Sequence, residues 1–376
     1  MEEQQSSGAE QASRAEQWAA TMAGHRVDGA VRQAHAGSDV RPVGPVAVLD
    51  REAREGAEDA ALADGATRAA GAGRRDAPEE PDPWRTCFER DRDRILHSTA
   101  FRRLAGKTQV FIFPADHQRT RLTHALEVAQ VAAAVARACR LNVALVEAIA
   151  LGHDCGHGPG GHASEDALGL FVPDFDHAVW GADVTVAPLN LCAETADGIR
   201  NHSWSRPSPC TPEGQVVSLA DRVAYCAHDL EDAIHAGVVV ASDVPAELTG
   251  PCGTTRSAQL RTLITDIVQT TTRTGLVGLS ESAGDALATL RHFNHERIYL
   301  RPDSRTQAVA VIDMLRALVE HYLAHPEALP ASAQTGEPVR DAVAYVDGMT
   351  DRFACAQAVA RLQWPADRLP RGLDLY

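Results

Sequence analysis

The densest chemistry in the sequence lies in Gly152-His153-Asp154-Cys155-Gly156-His157-Gly158-Pro159-Gly160-Gly161-His162, with Glu165 close behind. Imidazoles and carboxylates crowded into one glycine-broken stretch suit metal binding or proton transfer near neutral pH. Histidines on a solvated loop would account for one such residue, but poorly for the whole cluster. Gly156, Gly158 and Gly161 also satisfy G-x-G-x-x-G. That pattern grips a dinucleotide only between a strand and a helix. Here the preceding segment 143–152 reads as helix and histidines fill the spaces, so the dinucleotide reading is rejected.

An adjacent His-Asp pair offers at most two ligands, and a metal needs more. His124 stands on an earlier helical stretch, beside Arg121 and Glu127. On a helix through Asp221, at about 100° per residue, Asp221, Tyr225, His228, Asp229 and Asp232 share an arc of about 100°. Leu219, Val223, Leu230 and Ile234 lie opposite. An ordinary amphipathic helix with a wet face has the same form. The mix of Asp, His and Tyr, where a plain solvated face carries Glu, Lys and Arg, favours a site.

The elements that must position these residues read as helices. Apolar residues recur at three- and four-residue spacing in Leu122, Ala125, Leu126, Ala129 and in Val143, Val146, Ile149, Ala150. Residues 172–190 and 241–258, rich in Pro, Gly, Ser and Thr, read as loops. The fold class expected is all-α over residues 81–376. Residues 1–80 hold fifteen acidic and nine basic residues with Trp18 as the only aromatic. Such a stretch buries too little apolar surface to offset its ordering entropy, and it is expected to lack stable structure.

The chain has 376 residues and a formal net charge of −15. An acidic balance disfavours a protein whose task is gripping nucleic-acid backbone. It leaves room for a small polyanion held by local cations. No apolar run approaches the roughly 18 residues that cross a bilayer, and no secretory signal opens the chain. The eight cysteines form no C-x-x-C pair and read as reduced core residues of a cytoplasmic protein. Lys107 is the only lysine.

His124, His153-Asp154 and Asp221 together reproduce the H…HD…D pattern of the HD-domain metal-dependent phosphohydrolases. The chain resembles one branch of these, the dGTPase-like deoxynucleoside triphosphate triphosphohydrolases. The matching segments run in order: 92–104, Lys107-Thr108-Gln109-Val110-Phe111, Arg119-Thr120-Arg121-Leu122-Thr123-His124, the histidine cluster, Ser218-Leu219-Ala220-Asp221-Arg222-Val223-Ala224-Tyr225, and Gly348-Met349-Thr350-Asp351-Arg352-Phe353-Ala354. The resemblance covers about 90–355 and none of 1–80. It places an HD core at about 119–235 and a C-terminal helical region at about 255–376.

The resemblance implies hydrolysis of a dNTP to deoxynucleoside and inorganic triphosphate. His124, His153, Asp154 and Asp221 would be ligands of a divalent cation, Mg²⁺ or Mn²⁺ ahead of Fe, Co, Ni or Zn. His157, His162 and Glu165 would handle protons, with the acid among the histidines left open. Arg121 and Arg222 would face the phosphates, with Lys107 a further cation; Gln109 and Asp229 would hold the sugar hydroxyl and Tyr225 would pack on the sugar. The base would lie near His295 and Tyr299. A homo-oligomer, with a nucleotide or single-stranded DNA effector and no membrane association, is also implied. The alternatives are an HD-type nucleotidase or phosphodiesterase, and a non-catalytic nucleotide sensor. The chain departs from the family pattern at Gly160, where relatives carry Phe, at Ser164 for Gly, and at Ala178 for Asn. The resemblance would make His177 a further phosphate-side residue, and the last of these departures argues against that role.

Overall fold

The computed structural model describes residues 14–16, 18–19, 22–27, 31–35, 37, 39–114 and 117–373. The chain divides into two compact units, Met1–Val48 and Leu49–Tyr376. In the first, His25–Arg26 pairs antiparallel with Arg32–Gln33, His25 opposite Gln33. Among the described residues of the second there is no strand, only an isolated bridge between Thr108 and Thr120.

The second unit is all-α. Its helices are α1 (Arg51–Ala61), α2 (Cys87–His97), α3 (Thr99–Arg103), α4 (Arg121–Cys139), α5 (Val143–Gly152), α6 (Ala163–Leu168), α7 (His177–Trp180) and α8 (Ala193–Arg200). The long α9 (Pro212–His235) follows, then α10 (Ala246–Cys252), α11 (Arg256–Thr274), α12 (Glu281–Asn294), α13 (Pro302–Ala324), α14 (Pro338–Asp347) and α15 (Asp351–Leu362).

Local signals set the helices that matter. Thr120 caps α4 through a reciprocal box with Thr123, and the helix ends at Arg140 in a left-handed turn. Asn142 caps α5 by accepting from Leu145 N. Helix α5 is apolar on nearly every face because it is buried from Ala144 to Gly152, apart from Glu147. Thr211 caps α9, with Pro212 in the first turn, where its missing N–H costs nothing. Val128, Val135, Leu145, Ile149, Val216, Val217 and Val223 then close one core between α4, α5 and α9.

Two apolar clusters divide the unit differently from the expected split near residue 255. Helices α11 and α12 join the larger cluster through Leu263, Ile267, Leu287 and Leu290. A second cluster gathers α6, α13, α14 and α15 around Leu168, Val311, Leu315, Val343 and Ala354.

The expectation for 1–80 fails over 49–80. Helix α1 forms, capped by Asp50, and Leu62, Ala66 and Ala69 join the main core. Polar anchoring supplies what apolar area does not. Arg75 and Asp91 make a buried ion pair at 2.6 Å, and Glu213 accepts from Thr67 N at 3.0 Å and from Asn142 N at 3.0 Å. The two expected loops also hold short helices: α7 and a π-helical turn Gly181–Thr185 in one, α10 in the other. Runs of four to seven residues are too short for periodicity to register.

Candidate functional site

The first turn of α4, the end of α5 and the middle of α9 converge. His124 Nε2 lies 3.0 Å from Asp221 Oδ1 and 3.9 Å from Asp154 Oδ2. His153 Nε2 lies 3.5 Å from Asp154 Oδ1 and 3.6 Å from Asp221 Oδ1. His153 Nδ1 donates to the Ala150 carbonyl at 2.7 Å, which fixes the ring and leaves Nε2 buried with no hydrogen-bond partner among the described residues. Two imidazole nitrogens and two carboxylates facing one point fit a divalent cation, and the Ala150 carbonyl behind His153 is the outer support such a ligand needs. Burial disfavours charge here, yet the Asp154 and Asp221 carboxylates push the His153 imidazole up to about 9. Burial is likewise outweighed at Asp154, held well below the carboxylate range by Arg121 and His153, and at Asp221, held there by His124 and His153. The imidazoles thus behave as stand-ins for positive charge that the carboxylates require.

A second group adjoins the first. His157 is buried, its Nε2 3.2 Å from Asp154 Oδ1. Burial and Arg121 hold its imidazole well below the usual range, so it is neutral near pH 7. Glu165 Oε1 receives His162 Nδ1 at 3.0 Å and His177 Nδ1 at 2.9 Å. Burial favours the acid form of Glu165, but these two imidazoles hold its carboxyl far below the usual range. The His162 side chain is 79% exposed, at the lip of the site.

Gly156 makes this grouping possible. A Cβ there would overlap the His177 carbonyl and Gly181 N, so only glycine lets α7 press against the histidine loop. The result is the His177 ring stacked on His157, centroids 3.7 Å apart. His177 Nε2 then meets His202 Nε2 at 3.2 Å, and the His202 ring stands 4.9 Å from His153. Burial, with His153 beside it, lowers His202 to about 3.

A cleft of about 920 Å³ joins these groups to the remaining expected residues. Gln109, Arg121, Arg222, Tyr225 and Asp229 all line it, with His295 and Tyr299. Arg121 NH1 binds Asp154 Oδ2 at 2.7 Å, and its Nε is buried with no hydrogen-bond partner among the described residues. The Arg222 guanidinium stacks on Trp204, 4.0 Å from the ring centroid. Tyr225 Oη accepts from Arg291 Nε at 3.1 Å. Tyr299 donates to Asp229, whose carboxyl burial raises to about 7.

Three expectations are corrected. Lys107 does not reach the cleft: it is buried, and Nζ donates to the carbonyls of His157 and Asp347, the latter at 2.9 Å. It braces the histidine loop from behind. His228 and Asp232 share the helical arc of Asp221, Tyr225 and Asp229 but do not line the cleft, with His228 Nδ1 3.2 Å from Glu127 and Asp232 receiving Arg119 N at 3.0 Å. His177, argued out of the site by the Ala178 departure, lines the cleft. His202 was missed, as were Trp204 and Arg291. They lie far from the histidine cluster in sequence, and only packing brings them in.

Two of the departures from the family pattern, Gly160 and Ser164, have physical reasons, and nothing in the structure explains Ala178. At Gly160, φ is +77° and a Cβ would stand 2.6 Å from Val311 Cγ1. Ser164 Oγ donates to the Gly161 carbonyl at 2.6 Å and accepts from Gly158 N at 3.1 Å, closing the loop from within.

Comparison with known proteins agrees with this geometry. Residues 121–226 match the HD domain family, and residues 277–359 match the phosphohydrolase-associated domain. A deoxyguanosinetriphosphate triphosphohydrolase-like protein of Caldanaerobacter subterraneus subsp. tengcongensis is 40% identical over 288 residues, 73% of this chain and 85% of the relative. One of the same description from Clostridium perfringens strain 13 is 42% identical over 302 residues, 74% of this chain and 87% of the relative. One from Desulfatibacillum aliphaticivorans is 40% identical over 310 residues, 74% of this chain and 88% of the relative. Among the described residues no helix is long and apolar enough to cross a membrane. With the His and Asp pattern, the two family matches and these relatives in agreement, the chain belongs to the dGTPase-like family of HD-domain phosphohydrolases, a family of hydrolases.

Proposed function

We propose that this chain hydrolyses a deoxynucleoside triphosphate to the deoxynucleoside and inorganic triphosphate, by attack of water at the α-phosphorus. The observation that carries the reading is one cleft lined by His124, Asp154 and Asp221, with His153 grouped against them, beside Arg121, Arg222 and the Glu165-linked histidines. Its relatives' description, deoxyguanosinetriphosphate triphosphohydrolase-like, supports the substrate class.

His124, His153, Asp154 and Asp221 would hold a divalent cation, Mg²⁺ or Mn²⁺, which when bound polarises water and offsets charge on phosphoryl oxygens. Arg121 offers the phosphates a fork that Asp154 holds in place. Arg222, stacked on Trp204, faces the same cleft. A proton must reach the departing 5′ oxygen, and His162 is assigned that task. Its Nδ1 is committed to Glu165, its Nε2 is left for the leaving oxygen, and its exposure lets solvent reload it. His157, buried and neutral, is suited to a hydrogen bond with a phosphoryl oxygen. Gln109 and Asp229 would bind the 3′-hydroxyl, and Tyr225 would lie where a 2′-hydroxyl clashes.

The purified protein, given each dNTP with Mn²⁺ or Mg²⁺, should release nucleoside and triphosphate, read by chromatography and phosphorus NMR. His153→Ala with Asp154→Ala should abolish turnover, and His162→Asn should lower kcat by about 10²–10⁴. Pyrophosphate or orthophosphate as the product would overturn the assignment.

A further inference from the structure

We propose that the C-terminal tail, residues 370–373, is a wall of the nucleotide cleft and that Arg371 reads the edge of the nucleobase. The proposal rests on the nucleotide reading above and adds a binding residue far from the HD motifs.

The tail is packed, not trailing. Pro370 is buried. Arg371 N donates to Gln307 Oε1 on α13 at 2.6 Å. Gly372 lies so close to the facing segment that a Cβ would stand 3.0 Å from the Ile112 carbonyl oxygen. Leu373 packs against the main core. The tail therefore joins two walls of the cleft, α13 and the segment after Gln109. Arg371, Gly372 and Leu373 line the same cavity as His124, Asp154 and Asp221.

The chemistry of this end differs from that of the metal end. Asp229 follows Asp221 by two turns of α9, about 12 Å at 1.5 Å per residue. Tyr299, bonded to Asp229, therefore marks a position well removed from the metal ligands. Next to it the Arg301 guanidinium sits 5.7 Å from the Phe111 ring centroid and donates to Ser304 Oγ at 3.2 Å. Flat rings with fixed donors suit a heterocycle better than a polyphosphate. Gln307 spends its Oε1 on the tail, so its amide offers N–H groups to the cleft. Arg371 is exposed, and among the described residues its guanidinium has no hydrogen-bond or ion-pair partner. It stands as a fork for ring acceptor atoms.

The test compares wild type, Arg371→Ala and Gln307→Leu. Arg371→Ala keeps the backbone bond to Gln307, so folding is not at issue. KM for the preferred dNTP should rise at least about fivefold, the worth of one or two hydrogen bonds, with kcat within about twofold. Base-free 2-deoxyribose 5-triphosphate should show no difference between wild type and Arg371→Ala. Gln307→Leu, which releases the tail, should raise KM similarly with Arg371 present. Calorimetric titration of dNTP in EDTA should repeat the pattern without turnover. An unchanged KM and affinity, or an equal loss on the base-free triphosphate, overturns the proposal. A wild type that hydrolyses no dNTP sinks the proposed activity instead, and the titration still decides the role of Arg371.

Discussion

Gly160→Ala isolates what the histidine loop demands of its backbone. Gly160 has φ +77°, and an added Cβ would approach Val311 Cγ1 to 2.6 Å and Cγ2 to 2.8 Å. A left-handed conformation costs an L-residue about 1–2 kcal/mol. Val311 is 1% exposed and β-branched, so it cannot swing aside. Forcing a methyl into such packing costs about 1–3 kcal/mol more. The sum, about 2–5 kcal/mol, is a large share of the roughly 5–15 kcal/mol that holds a protein folded. Denaturant unfolding of Gly160→Ala, Val311→Ala and the double variant separates the two parts. Val311→Ala opens the space, so the double variant should be more stable than additivity predicts by at least about 1 kcal/mol, with the backbone part remaining. Strict additivity, or a Gly160→Ala protein as stable as wild type, would refute the steric account of why no Phe stands here.

Two further outcomes follow from buried charges. Asp91→Ala removes a carboxylate that pairs with Arg75 at 2.6 Å and accepts from Cys192 N at 2.8 Å and Thr195 Oγ1 at 2.7 Å. It leaves the Arg75 charge buried and should cost about 3–5 kcal/mol by urea unfolding; a loss under about 1 kcal/mol would mean that residues 49–80 are not anchored there. Asp229 is raised by burial to about 7, from about 3.9 when unfolded. The folded state therefore binds the proton more tightly, and the contribution of this group is full below about pH 3.9 and lost as pH rises through about 7. The stability of wild type relative to Asp229→Asn should fall across that window and level off above it, and a difference that does not vary with pH would contradict the assignment.

The fold was legible where periodicity had length to act. Helices α4 and α5 appear in the spacing of their apolar residues because each buries a continuous stripe or a whole surface in the main core. Residues 49–80 were misread because composition counts apolar area and not ion pairs. Arg75, with its side chain 1% exposed, is held by Asp91 and by the Asn190 and Cys87 carbonyls, all contributed from outside the segment. Nothing local to Arg75 announces that burial. The same holds for the join of α11 and α12 to the larger cluster, which depends on partners outside each helix: α11 packs on α4, more than 100 residues earlier in the chain, and both pack on α9.

The site divides along the same line. Asp221, Tyr225 and Asp229 recur every fourth residue on one helix, so helical geometry alone places them together along the cleft. That geometry could not say which residues of the shared face reach the cleft: Asp232 falls at about 20°, between Asp221 and Tyr225, and His228 at about −20°, yet they turn to Arg119 and Glu127. His177, His202 and Arg371 carry no such signal. Each owes its place to a close backbone approach or a single long-range bond: Gly156 against α7, the His202 carbonyl accepting from Ser218 Oγ, and Gln307 holding the tail. Of these three, Arg371 lies apart from the proposed metal donors, whereas the His202 ring stands 4.9 Å from His153 and His177 meets His202 and stacks on His157. Under the proposed function, selectivity among nucleotides would vary in α13 and the tail while α4, α5 and α9 hold the phosphate end of the cleft.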